Sequence, residues 1–253
     1  MIITGNNEKE IKKLKEELCA EFEMKDLGNL KYFLGIEVLR SQQGIFICQK
    51  KYILDFFAET GMIDCKPANT PMVINQKLFM KLDGKFTDKN KYQLMVRKLI
   101  YLAHTRSDIA YVVGVVSQFM HQTQEEHMDA VLRIIRYLKG TIGHGVLFKV
   151  NGHLKIQKYT DVDWAGDKEN RRSTSGYFSM IGGNLVTLKS KKQKVVSLSS
   201  AEAEFRGISK GLAEALWLRK LMTELGFAPI ESIQIISDNE AAIQISENPV
   251  QHD

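Results

Sequence analysis

Asp161, Glu204 and Asp238 are three carboxylates whose order and surroundings could gather hard divalent cations. Asp161 closes residues 154–160, which read as a strand. Asp238 closes residues 232–237, whose apolar middle predicts a buried central strand. Glu204 falls between them, where a strand-like stretch gives way to a long helical pattern. A sheet-and-helix domain would bring all three to one sheet edge. Oxygen ligands from separate elements suit Mg²⁺ or Mn²⁺, and two such ions can stabilise both the attacking and the leaving oxygen of an in-line displacement at phosphorus. The chemistry indicated is phosphodiester cleavage. For any one of these residues the plainer reading, an acid that caps a helix or solubilises a strand end, is equally good. Helical periodicity also leaves Glu202 and Glu204 both open, because both flank an apolar stripe of Phe205, Ile208, Leu212 and Leu216.

Short strands are predicted over 145–149, 154–160, 176–181, 185–188 and 195–198, followed by a helix over 201–225 and the strand ending at Asp238. Upstream, residues 1–4 read as a strand remnant. Asn7 is an N-cap with Glu10 three residues on, and Ile11, Leu14, Leu18 and Phe22 form a stripe that should lie on a sheet. Residues 32–39 and 45–49 read as a hairpin, and 52–60 as a short helix. The irregular stretch that follows to about residue 89, containing Pro67 and Pro71, reads as a flexible linker. Helices then follow at 91–104, 108–121 and 125–139.

On the last of these, Val131, Ile134, Ile135 and Leu138 share a face from which Arg133, Arg136 and Lys139 point away. That basic face could follow a phosphate backbone or simply be solvated. The densest charge cluster is the hexad 189–194, with Lys189, Lys191, Lys192 and Lys194 as candidate phosphate contacts; a nuclear address and a wet turn are the alternatives. Asp163 and Asp167 read as loop acids, and Trp164 as a core or lid residue. His121, His127, His144, His153 and His252 lack metal-pair spacing, and Ser199 and Ser200 have no His and Asp partners.

A length of 253 residues predicts about two domains, and 44% hydrophobic residues allow substantial cores. Cys19, Cys48 and Cys65 form no close pair, which argues against a disulfide framework or a zinc site. The most hydrophobic stretch, 111–116, is too short to span a bilayer and no signal peptide is evident, so no membrane partner is expected. A net charge of +5 favours polyanionic partners.

Tyr159-Thr160-Asp161-Val162-Asp163-Trp164-Ala165-Gly166-Asp167, Arg171-Arg172-Ser173-Thr174-Ser175-Gly176-Tyr177, Lys189-Ser190-Lys191-Lys192-Gln193, Ser199-Ser200-Ala201-Glu202-Ala203-Glu204-Phe205 and Ser237-Asp238-Asn239 stand in this order. Together they closely resemble the ribonuclease H region of copia-type LTR retrotransposon Pol polyproteins. Tyr32-Phe33-Leu34-Gly35-Ile36-Glu37-Val38, Lys51-Tyr52-Ile53, Pro67-Ala68-Asn69-Thr70-Pro71-Met72, Thr105-Arg106-Ser107-Asp108-Ile109 and Arg136-Tyr137-Leu138-Lys139-Gly140-Thr141 resemble the end of the reverse transcriptase in that family.

The resemblance covers essentially the whole chain and implies a mixed α+β and α/β fold. Residues 1–60 would be the end of the polymerase palm with its primer-grip hairpin, 61–143 a linker and helical thumb or connection, and 144–253 an RNase H-like domain lacking its C-terminal part. The family register, Ala-Glu before an aromatic, selects Glu204. Asp161 would bridge two metal ions, and Glu204 and Asp238 would complete the one on the leaving-group side. The resemblance further implies an RNA–DNA hybrid or other nucleic acid as partner, together with further segments of a parent polyprotein, in a cytoplasmic particle or the nucleus. In the family a fourth carboxylate lies in an Ala-Asp downstream of the stretch beginning at residues 251–253, and the polymerase Asp pair lies before Met1. The expectation is therefore no polymerase activity and impaired nuclease activity. The alternative is an inactive hybrid-binding or scaffold fragment.

Overall fold

The structure is a computed structural model and describes residues 1–248 apart from 75, 77, 168 and 169. The described residues form seven helices and two four-stranded sheets, a mixed α/β fold. Helix α1 (Glu8–Glu21) begins as expected, with the Asn7 side chain accepting from the amides of Lys9 and Glu10. It does not lie on a sheet: none of its residues is buried, Leu14 and Phe22 are exposed, and residues 1–4 form no strand. No strand among the described residues pairs with 1–4, so the segment has no ladder to join.

The first sheet has the order β1 (Tyr32–Phe33), β2 (Ile36–Ser41), β3 (Gly44–Cys48) and β4 (Gly145–Lys149), all antiparallel. The predicted hairpin is β2 and β3. The strand at 145–149, expected among the C-terminal strands, instead pairs with β3 from Gly44↔Lys149 to Cys48↔Gly145. Alternation announces a strand but does not name its neighbour.

Helices α2 (Lys50–Thr60), α3 (Lys89–Leu102), α4 (Ser107–Ser117) and α5 (Glu125–Gly140) pack around the main core, built from Ile53, Phe56, Tyr92, Leu99, Ile109 and Ile135 among others. At the α4 N-terminus the buried Arg106 guanidinium bonds Asp108 through Nε (2.9 Å) and Nη2 (2.7 Å), and Nη1 reaches the Thr141 carbonyl at the end of α5 (3.0 Å). A planar fork with five donors can satisfy all of these at once, which an ammonium cannot. The segment 61–88 is not a flexible linker. Arg133, Arg136 and Lys139 of α5 donate to Thr70 Oγ1, the Lys66 carbonyl and the Ile63 carbonyl, while Phe86 forms a bridge with Gln124. The segment is strapped along α5 by groups whose charge pattern alone reads as solvated.

The second sheet comprises β5 (Ile156–Asp163), β6 (Thr174–Ile181), β7 (Asn184–Lys192) and, after α6 (Ser200–Glu224), β8 (Gln234–Ile236); α7 (Glu240–Glu247) follows. Its order is β7-β6-β5-β8, with β5–β6 and β6–β7 antiparallel and β5–β8 parallel. The result is three strands, a helix and a strand beside the first, in the chain order of strands and helix predicted from residue 154 onward. Two details differ. Residues 195–198 form no strand, and β8 is an edge with Ile236 39% exposed rather than a buried centre. The Asn184 side chain ties the sheets together by accepting from Lys149 N (2.7 Å) and donating to Lys149 O (2.9 Å), as a neighbouring strand would. No helix among the described residues is long and apolar enough to cross a membrane.

Candidate metal centre

Alternation along β5 sends Ile156, Lys158, Thr160 and Val162 into the interface with α6 and leaves Asp161 exposed. The face that α6 presents is not the predicted apolar stripe. Ala203, Gly207, Gly211, Ala215 and Leu218 are buried, whereas Leu212 and Leu216 are exposed. Small residues win because the helix lies so close to β5. A Cβ on Gly207 would stand 2.7 Å from Val162 Cγ2, and one on Gly211 would stand 2.7 Å from Thr160 Cγ2. Alanine at either position would lift the helix off the strand.

That close approach places Glu204 beneath the end of β5. The helix starts at Ser199, whose side chain accepts from Glu202 N, and Glu204 follows within the next turn. Glu204 is 6% exposed, its Oε1 accepts from Val162 N at 3.0 Å, and its buried Oε2 has no hydrogen-bond partner among the described residues. Asp238 arrives from the other side. The parallel pairing Tyr159↔Ile236 brings it level with Asp161, each two residues beyond its partner of that pair. Ligand atoms of Asp161, Glu204 and Asp238 all lie within 4.8 Å of one another.

Burial, with Asp161 and Asp238 as neighbouring charges, pushes the Glu204 carboxyl up to about 7 despite the Val162 amide. An orphaned buried carboxylate oxygen facing two further carboxylates is a donor set of oxygens alone, which fits a hard divalent cation such as Mg²⁺ or Mn²⁺. Glu202, the periodicity alternative, is occupied elsewhere. It accepts from Leu198 N at 2.8 Å and from Arg206, and these two partners hold its carboxyl below the usual range.

The other acids stay outside the cluster. Asp163 ends β5, and Asp167 pairs with Lys192 at 2.8 Å. Trp164 is 45% exposed rather than core, and its Nε1 donates to Ser197 O. The lysine hexad is divided between the two sheet faces. Lys189 meets Glu214 on the α6 side, Lys192 meets Asp167 on the other, and Lys191 and Lys194 are exposed. Arg133, Arg136 and Lys139 hold the 61–88 segment. His252 lies outside the described residues.

Sequence reasoning missed a buried ion-pair system under the same helix: Glu214 lies between Lys158 (3.4 Å) and Lys189 (2.9 Å). Lys158 is fully buried, donates to Ser179 Oγ at 2.7 Å and lies 4.4 Å from the Tyr177 ring centroid. Its signal was the lysine at an inward position of β5.

The reverse transcriptase (RNA-dependent DNA polymerase) family model matches residues 1–74. Over the whole chain the sequence is 43% identical to the retrovirus-related Pol polyprotein from transposon RE1 of Arabidopsis thaliana and 36% identical to that from transposon TNT 1-94 of Nicotiana tabacum. It spans only 17% and 20% of those two proteins. The uncharacterized mitochondrial protein AtMg00810 of Arabidopsis thaliana is 37% identical over 86% of this chain and 90% of its own length. No solved structure matches the chain. The chain belongs to the copia-type retrotransposon Pol polyprotein family and corresponds to a reverse transcriptase-related portion of it.

Proposed function

We propose that the second sheet with α6 and α7 is a ribonuclease H-type unit, within the expected span 144–253, that cleaves the RNA strand of an RNA–DNA hybrid at Asp161, Glu204 and Asp238. The observation that carries this reading is the convergence of three carboxylates from β5, α6 and the residue pair after β8, on a topology of three antiparallel strands, a helix and a parallel fourth strand. The same reading makes the β2–β3 hairpin a primer-grip element and α3–α5 a thumb or connection. The hairpin assignment draws support from the reverse transcriptase family match, which covers residues 1–74.

Glu204 would hold a divalent cation from the buried side while Asp161 and Asp238, exposed at the mouth, leave the scissile phosphate room to approach. A divalent cation held by these residues would supply Lewis-acid stabilisation of the charge developing on the phosphoryl oxygens. The Val162 amide fixes Glu204 Oε1, so Oε2 is the oxygen left to turn toward the ion. The three carboxylates gathered among the described residues suffice for one metal site, and slow turnover or a hybrid-binding role fits that set.

The test is cleavage of a labelled RNA–DNA hybrid by the full chain in Mg²⁺ and in Mn²⁺. Slow, metal-dependent cutting of the RNA strand is expected, lost in Asp161→Asn and retained in Glu202→Gln and Asp163→Asn. Wild-type rates in a folded Asp161→Asn protein would refute the site. A wild type that binds hybrid and leaves it intact in both ions would establish the scaffold reading in its place.

A further inference from the structure

Between β7 and α6 runs a ladder of side-chain contacts. The Thr187 hydroxyl and the Lys189 ammonium both meet Glu214, and Gln193 Nε2 donates to Ala203 O at 2.9 Å. Register with β6 is unbroken from Thr187 to Lys192, so alternation turns Lys191 to the same side as Lys189. Lys192 turns away, to Asp167. On α6, Lys210 lies one helical turn before Glu214 and one turn after Arg206, near enough to Lys191 for that charge to act on it.

Every rung of the ladder is complementary except this one, where two cations are neighbours. Burial and then the charges of Lys191 and Arg206 hold the Lys210 ammonium below its ordinary value. Arg206 has Glu202 as partner, but among the described residues no carboxylate pairs with Lys191 or Lys210. The satisfied rungs on either side keep the two ammoniums together. An external anion is the simplest way to relieve their repulsion.

We propose that Lys191 and Lys210, flanked by Arg206, bind a backbone phosphate of the nucleic-acid strand that lies across α6. This rests on the hybrid-cleaving reading above and names how the substrate is held. Glu204 lies on the opposite flank of α6, facing β5, so the phosphate site and the carboxylates are separated by about the width of a helix, ~10 Å. A mononucleotide would not bridge that distance, whereas a duplex would. Phosphate contacts of this kind position a strand without reading its sequence.

The experiment is anisotropy of a fluorescent RNA–DNA hybrid titrated with the full chain in EDTA, which silences metal chemistry and so separates this claim from the carboxylate site. Lys210→Glu puts a carboxylate near Lys191, repeating the Lys189–Glu214 rung, so the melting temperature should hold or rise. Hybrid affinity should nevertheless fall about tenfold, with the salt slope shallower by about one, because the one phosphate contact is lost as Lys191 becomes paired. Lys220→Glu makes the same charge change near the exposed end of the same helix and should have little effect. Wild-type affinity and slope in Lys210→Glu, an equal loss in Lys220→Glu, or no hybrid binding by the wild type would each overturn the proposal, whatever the metal site does.

Discussion

Glu214→Ala should destabilise the chain by about 3–5 kcal/mol, because it leaves the fully buried Lys158 ammonium without a counter-charge. Burial alone raises the Glu214 carboxyl, but the Thr187 hydroxyl and the Lys189 and Lys158 ammoniums outweigh it and hold the group below its usual range, so the anion is present at neutral pH. Lys158 is pushed down by burial and partly restored by Glu214. Removing one partner strands the other. Replacing both, in a Lys158→Met, Glu214→Leu double variant of similar volume, should return stability to within about 1 kcal/mol of wild type. Urea denaturation measures both changes, and a single variant that loses under about 1 kcal/mol would show that water reaches Lys158 and solvates it.

The second large effect is at Glu204 and has the opposite sign. Its folded pKa of about 7 stands above the ordinary 4.5, so between those values the folded chain carries a proton that the unfolded chain has released. The contribution of Glu204 to stability in EDTA is therefore fully present below about pH 4.5 and is lost as pH rises through about 7, roughly 3 kcal/mol in all. Glu204→Gln removes the buried charge and should abolish that decline, leaving the variant more stable than wild type at about pH 8 without metal. Mg²⁺ should reverse the ranking by stabilising wild type alone through its preference for the folded state. Melting curves at acid and alkaline pH, with EDTA and with Mg²⁺, read out both halves. A Glu204→Gln variant whose stability still falls as steeply with pH as wild type would remove Glu204 as the source.

Much of this architecture was legible in the sequence because it follows local rules. The Asn7 cap, the β2–β3 hairpin and α2 through α5 come from capping chemistry and periodicity, whereas the connectivity around β5 is what the family resemblance implies. What failed were inferences about partners. The Phe205–Leu216 stripe looks like a core face on hydrophobicity alone, yet Gly207 and Gly211 decide which side of α6 can touch β5, since contact at 2.7 Å excludes even a Cβ. Alternation likewise does not tell β4 that its neighbour is β3, and the basic face of α5 conceals three anchors for the 61–88 segment. The candidate site was readable as three residue types in order. Its geometry was not, because the level position of Asp161 and Asp238 depends on the parallel β5–β8 register.

Calorimetric titration of Mn²⁺ into the metal-free chain at about pH 8, where Glu204 is mostly ionised, tests the central claim most directly. Saturable binding is predicted for wild type and for Glu202→Gln, and loss of at least about tenfold in affinity for Asp161→Asn, Glu204→Gln and Asp238→Asn. Equal Mn²⁺ affinity in wild type and in a folded Glu204→Gln protein would contradict it.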